Sequence, residues 1–265
     1  MTYLGFITVF LLPPILLLLL LGRKNRKRIP GFGFSVLLLC FIAFVYTTPW
    51  DNFLVASSIW GYPPERILGT LGHVPYEEYA FFILQPILTG LWLRFLLRAH
   101  SLPLLPSRDY TQRDRQSRFW GAAIMLFLTY FGATLLTVHW GTYLGLIFVW
   151  AGPVLAFQWV YGGHDLWRLR KLWFLGWFPP SAYLWVADWF AIQQGIWFFS
   201  EYKTSGLHLF GLPLEEALFF VVTNLMVVQG LLLYQTTLGH WSQSTGSRFW
   251  KKLPVPGKRQ VLGAS

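Results

Sequence analysis

The chain has 265 residues, of which 55% are hydrophobic, 19% aromatic and only 12% charged, and its formal net charge is +10. This balance excludes a soluble globular core and describes a polytopic membrane protein. A single cysteine, Cys40, excludes a disulfide framework and a thiolate metal site.

Runs of roughly 20 apolar residues predict seven membrane-spanning helices, at 3–21, 31–48, 75–97, 119–137, 141–161, 172–190 and 212–234. The first is too long for a cleaved signal peptide and no small-x-small site follows it, so it reads as an uncleaved first helix. Loops rich in Trp, Tyr, Gly and acids follow the second and sixth spans. A basic, Pro-containing stretch at 98–118 links the third span to the fourth, and residues 241–265, with their Ser, Gly, Pro, Lys and Arg, predict a disordered tail. Of the 21 Lys and Arg, five lie in 23–28, six in 94–118, three in 168–171 and five in 248–259. Only Arg66 and Lys203 fall outside these places. By the positive-inside rule the N-terminus is extracytoplasmic and the C-terminus cytoplasmic. The positive charge is then a topology signal that needs no nucleic-acid partner.

Two copies of one string stand out. Residues 75–82 read Pro-Tyr-Glu-Glu-Tyr-Ala-Phe-Phe and residues 213–220 read Pro-Leu-Glu-Glu-Ala-Leu-Phe-Phe. Asp51 aligns with Asp188 and Trp60 with Trp197 at an offset of 137, and the Pro-x-Glu-Glu-x-x-Phe-Phe strings align at 138. Each repeat therefore comprises three spans. Because three is odd, two such units face the same way only if an extra helix returns the chain, which is the place of 119–137. The expected fold is all-α: seven transmembrane helices as two parallel three-helix repeats joined by a linking helix. The expected division is 1–97 for the first repeat, 98–138 for the basic loop and linking helix, 139–235 for the second repeat and 236–265 for the tail. An internal repeat in a membrane chain suggests a pseudo-symmetric site between the halves.

Carboxylates at the edge of hydrocarbon are costly and mark functional sites. On a helical wheel Glu78, Gln85 and Thr89 lie within about 40° of one another, and Glu216 shares a face with Thr223 in the second copy. Such a stripe faces the bundle interior, whether as a site or as polar glue between helices. Glu77 and Glu215 lie about 100° round the wheel. A carboxylic acid dried out beside aromatic rings can donate a proton, and a second carboxylate nearby can accept one. Ring faces stabilise cations by about 0.5–2 kcal/mol each. Aromatic belts are general at membrane interfaces, but with two acid pairs they suggest proton-initiated carbocation chemistry on an apolar substrate. Other chemistries are poorly supplied. The six His are scattered, Gly31-Phe-Gly33 lacks the third glycine of a dinucleotide fingerprint, no Asp-rich diphosphate motif occurs, and the seventh span has no Lys.

The stretches 47–92 (TTPWDNFLVASSIWGYPPERILGTLGHVPYEEYAFFILQPILTGLW) and 187–230 (beginning ADWFAIQQGIWFF and closing GLPLEEALFFVVTNLMVVQG) resemble the two halves of the membrane-integral lycopene cyclase family. The resemblance covers about residues 3–235, in the fused form of that family and without a phytoene synthase domain. It implies a lycopene β-cyclase that closes the ψ-ends of lycopene into β-rings, by way of γ-carotene, with no net redox change. The implied cofactor is none and no metal is implied. Lycopene and the bilayer lipids are the implied partners, with room for association with other carotenoid-pathway enzymes. Because the family motif tolerates Gln at the second acid, the resemblance ranks Glu77 and Glu215 first as catalytic acids, whereas the wheel favours Glu78 and Glu216. Asp51 and Asp188 match loop acids that serve as base or relay, or that cap the loop. Trp60, Tyr79, Phe81, Phe82, Trp197, Phe219 and Phe220 are the residues expected to hold substrate and cation. A composite site fed by both repeats is expected, because separately encoded halves are both required in the family. Cyclisation to ε-rings, of C50 carotenoids or of one end only remains open, as does a small proton-coupled transporter.

Overall fold

Seven long helices follow one another in the computed structural model, which describes residues 1–24, 29–100 and 111–252. Helix α1 starts at Tyr3, passes through a π-helical turn at Ile7–Leu11 and continues as Leu12–Lys24. It is followed by α2 (Phe32–Ala56), α3 (Tyr76–His100), α4 (Gln112–Leu135), α5 (Thr142–Arg168), α6 (Arg170–Gln193) and α7 (Leu214–Lys252). Six of them, all but α6, are long and apolar enough to cross a membrane, one fewer than the seven expected. With 24 residues α6 has the length, but Arg170, Lys171, Asp188, two prolines and four Trp lower its hydropathy.

Several helices run further than the sequence predicts, α5 among them, to Arg168 against an expected end at 161. α2 continues through Pro49 to Ala56, so Asp51 lies in its last turns and not in a loop, and Asp188 lies likewise inside α6. Pro is tolerated within apolar helices because neighbouring groups satisfy the freed carbonyl. The helix ends come instead from Schellman turns: Ile59 N–H bonds Leu54 O, and Ile196 N–H bonds Ala191 O. The left-handed positions there are Ser58 (φ 51°) and Gly195 (φ 61°). α7 continues to Lys252, so 241–252 are helical where a disordered tail is expected. The rest of the predicted tail, from 253, and the part of the basic linker at 101–110 lie outside the described residues.

Helix α4 begins with a capping box, Thr111 with Asp114, and packs along α5. The contact is made by small residues. A Cβ on Gly145 would meet Gly132 O at 2.6 Å, and one on Gly152 would meet the Thr129 hydroxyl at 2.1 Å. Close backbone approach of this kind is how helices associate where lipid offers no hydrophobic drive.

Each acid-bearing loop folds into a two-residue β-hairpin: β2 (Thr70–Leu71) with β3 (Val74–Pro75), and β5 (His208–Leu209) with β6 (Leu212–Pro213). The tips require positive φ, supplied by Gly72 at 69° and by Phe210 and Gly211 at 53° and 87°. A third ribbon joins the two loops, β1 (Trp60–Gly61) antiparallel to β4 (Phe198–Phe199), in the register Trp60 to Phe199 and Gly61 to Phe198. The outlying cations fasten these loops. Arg66 donates to Met1 O and Lys203 to Ser57 O.

Candidate active site

Beneath the β1–β4 ribbon lies a small chamber of about 40 Å³ where α1, α2, α3, α5, α6 and α7 converge. Four carboxyl groups line it: Asp51 from α2, Glu78 from α3, Asp188 from α6 and Glu216 from α7. Around them stand aromatic rings, among them Trp60, Phe81, Phe82, Trp197, Phe219 and Phe220 of the expected set. The seventh expected ring, Tyr79, is turned away. Its hydroxyl donates to Leu71 O at 2.9 Å and accepts from Asn52 at 3.0 Å, so it braces the first hairpin.

The paired glutamates divide by position. Glu78 Oε2 accepts hydrogen bonds from the Tyr3 hydroxyl at 2.5 Å and the Tyr62 hydroxyl at 2.8 Å. Glu216 accepts from Tyr143. Glu77 and Glu215, ranked first on the resemblance, are buried outside the chamber. Each accepts one loop amide, Leu68 N–H at 2.9 Å and Ser205 N–H at 2.6 Å respectively. A carboxylate accepting a backbone amide fixes the loop above its helix, and these two do so at equivalent places. The helical wheel therefore separates the members of each pair as the structure does, while the first-ranked pair does not face the space where a substrate could sit.

The aspartates differ from one another. Asp188 accepts the Trp197 indole N–H at 2.9 Å. Asp51 is 1% exposed, and among the described residues neither of its oxygens has a hydrogen-bond partner; the Trp60 indole nitrogen is likewise unpartnered there. A buried polar group without a partner is uncommon and calls for an explanation such as a catalytic role. A second asymmetry lies beside the ribbon. Tyr62 gives Glu78 its second phenol, whereas the position 137 residues on is Phe199, which has no hydroxyl to offer Glu216. Tyr62 lies in the loop between two spans. Its burial and the Glu78 carboxyl beside it push the phenol well above its ordinary pKa, so it stays a hydrogen donor.

Trp50 and Phe199 also line the chamber, as do Tyr3, Phe6 and Tyr143, which are absent from the residues singled out in sequence. One signal could have found Tyr3 and Tyr143. They are 140 residues apart, each near the start of a first span of the duplicated block.

A larger apolar groove of about 470 Å³ adjoins the chamber. Its sides are α2 and α5, its floor α3 and α7, and Thr47, Phe81, Phe82 and Phe219 belong to both spaces. Along α7 the groove extends from Phe219 to Thr237, roughly 27 Å at the helical rise, most of the thickness of a hydrocarbon core. The matching seam between α6 and α1 is filled: Leu184, Ala187 and Ala191 pack on Tyr3, Phe6, Ile7 and Leu11. The two seams carry equivalent ties, Tyr46 hydroxyl to Trp150 O and Tyr183 hydroxyl to Phe10 O, both 2.8 Å. They differ in what lies beside those ties. Of the expected polar stripe, Gln85 and Thr89 donate to Asn224 Oδ1, and Asn224 donates to Ser181 at 3.0 Å, tying α3, α6 and α7 together. Thr223 lines the groove.

Comparison with known proteins places these features in one family. A family model described as lycopene cyclase matches residues 1–96 and 140–234. A lycopene beta-cyclase of Halobacterium salinarum is 40% identical over 242 residues, covering 91% of this chain and 98% of that protein. Bifunctional lycopene cyclase/phytoene synthases of Arthroderma gypseum and Neurospora crassa are 37% and 35% identical, covering 83% and 81% of this chain. The matches take in only 39% and 36% of those fungal proteins. No solved structure matches the chain.

Proposed function

This chain belongs to the lycopene cyclase family, and on that footing we propose that it is a lycopene β-cyclase of carotenoid biosynthesis, working within the bilayer on lycopene. The observation that carries the reading is the junction of a membrane-length apolar groove with a chamber holding four carboxyl groups among aromatic rings. The groove suits a linear polyene and the chamber suits one end of it.

The reaction is an isomerisation. A proton adds to the terminal double bond, the ring closes onto the resulting cation, and a ring proton leaves. The protein must therefore supply an acid, a base and a surface for the passing cation. Asp51, whose oxygens have no hydrogen-bond partner among the described residues, takes the acid role, because a protonated side chain there has no competing acceptor. Glu78 accepts two phenols and takes the complementary role, balancing the cation and receiving the ring proton. Trp60, Phe81, Phe82 and Phe219 offer ring faces to the cation. Glu216 and Asp188 complete the field from the other half. Glu77 and Glu215 act at one remove, holding the loops that close the chamber.

The architecture proposed is seven membrane-crossing helices, α1–α3 and α5–α7 as two parallel three-helix repeats with α4 as the link. The equivalent Schellman turns, hairpins and amide-to-glutamate bonds of the two loops support it. The division at 1–97, 98–138, 139–235 and 236–265 follows from it. With the basic segments on the cytoplasmic side, the N-terminus is extracytoplasmic and the chamber lies near the opposite face. A chamber walled by both halves but served by one groove favours a single composite site used twice over two independent sites. Splitting the chain between residues 105 and 106 and expressing the parts in lycopene-producing cells tests this. Both parts together should give β-carotene and neither alone any ring. Ring formation by one part alone refutes the composite site, and failure of the intact chain to convert lycopene refutes the activity itself.

A further inference from the structure

Far from the acid chamber, between the ends of α1 and α3 at the basic end of the bundle, lies a cleft of about 370 Å³. Leu18, Leu91 and Phe95 form its apolar wall, and Arg23, Arg94 and Arg98 its polar end. Arg94 and Arg98 are one turn apart on α3 and share a face. Arg98 is only 7% exposed. Its Nη1 donates to Gly22 O at 2.7 Å, near the end of α1, while its Nε has no hydrogen-bond partner among the described residues. Among the described residues no Asp or Glu lines the cleft. A buried guanidinium with an unmatched donor, next to two like charges, is expensive unless an anion completes it.

The shared architecture does not require these charges. At the repeat offsets, the positions matching Arg23, Arg94 and Arg98 are Gly163, Leu232 and Thr236. There the space is closed. A Cβ on Gly162 would meet Leu233 at 2.2 Å, and one on Gly163 would meet Trp159 at 2.8 Å. The positive-inside tendency accounts for exposed cations such as Arg113 and Arg115 but gives no reason to bury Arg98.

We propose that this cleft binds an anionic phospholipid of the adjoining leaflet, its phosphate held by Arg23, Arg94 and Arg98 and an acyl chain lying along Leu18, Leu91 and Phe95. Arginine forks match phosphate oxygens in pairs, and basic pockets between spanning helices are where anionic headgroups settle. The apolar wall favours a lipid over free phosphate.

Native mass spectrometry of the detergent-purified full chain tests the proposal, with phosphatidylglycerol, phosphatidylcholine and inorganic phosphate titrated separately. The wild type should retain one phosphatidylglycerol about tenfold more tightly than phosphatidylcholine. Arg94→Gln leaves the Gly22 contact intact, so folding is spared, and should weaken retention about tenfold, the loss of one charge-assisted contact. Arg94→Gln with Arg98→Gln should abolish the preference, whereas Arg113→Gln with Arg115→Gln should leave it unchanged. Equal retention of the two lipids, or an undiminished preference in Arg94→Gln, overturns the site. Displacement of the lipid by an equal concentration of inorganic phosphate overturns the lipid assignment.

Discussion

Replacing Glu78 by Gln keeps the size of the side chain and removes its capacity to exchange a proton. In the wild type two phenols converge on Oε2, from 2.5 and 2.8 Å. Hydrogen bonds to a charged group contribute about 1.5–3 kcal/mol each, and neutral ones about half that. An amide oxygen can still accept both phenols, so the structural loss is about 1.5–3 kcal/mol in total and the chamber should persist. The kinetic loss is larger. General acid–base catalysis by a positioned side chain contributes about 10²–10⁴-fold, equivalent to roughly 3–5 kcal/mol of barrier. Glu77→Gln, one residue away, is the matched control. Its amide oxygen can still accept Leu68 N–H, so ring formation should fall by less than about tenfold, given the modest value of one hydrogen bond. Both variants would be expressed in lycopene-producing cells, pigments separated by chromatography, and conversion normalised to the protein found in membranes. Wild-type conversion by Glu78→Gln together with an inactive Glu77→Gln would refute the chamber reasoning and return the acid role to the pair ranked first on family resemblance.

Tyr62→Phe gives the first half the residue that Phe199 supplies in the second; with one donor to Glu78 lost, ring formation should slow by about tenfold or more. Because the Tyr62 phenol is held well above its ordinary range, it keeps its proton as pH rises, so an alkaline decline in activity that disappears in Tyr62→Phe would contradict the assignment. Val154→Trp should obstruct the groove and leave lycopene unconverted with normal membrane levels, whereas Val186→Trp, at an exposed position on α6, should convert it normally; full conversion by Val154→Trp would remove the groove from the substrate path. Reporter fusions at 25, 110 and 165 should all read cytoplasmic and those at 60 and 203 extracytoplasmic, and a cytoplasmic reading at 60 would reverse the orientation.

Much of this protein is legible without coordinates because a bilayer allows few solutions. Apolar runs must become helices, basic residues mark one side, and a duplicated Pro-x-Glu-Glu-x-x-Phe-Phe string at a fixed offset points to a duplicated loop and helix start. The wheel also separates Glu78 from Glu77, since adjacent residues on a helix face about 100° apart. Those inferences use only backbone periodicity and the cost of exposing polar groups to lipid. Which carboxyl groups meet is a different matter. Asp51 reads as a loop residue because the apolar run ends at 48, and only the packed bundle carries α2 through Pro49 and sets its acid beside Glu78. Tyr3 and Tyr143, which donate to the two chamber glutamates, come from helices whose sequences look like plain apolar spans. The groove is the clearest case. Equivalent seams join α2 to α5 and α6 to α1, with the same tyrosine-to-carbonyl tie in each, yet one is filled by Leu184, Ala187, Tyr3 and Phe6 while the other stays open. Whether a seam fills depends on side-chain volumes summed across helices distant in sequence, and a repeat pattern read along one chain does not contain that sum.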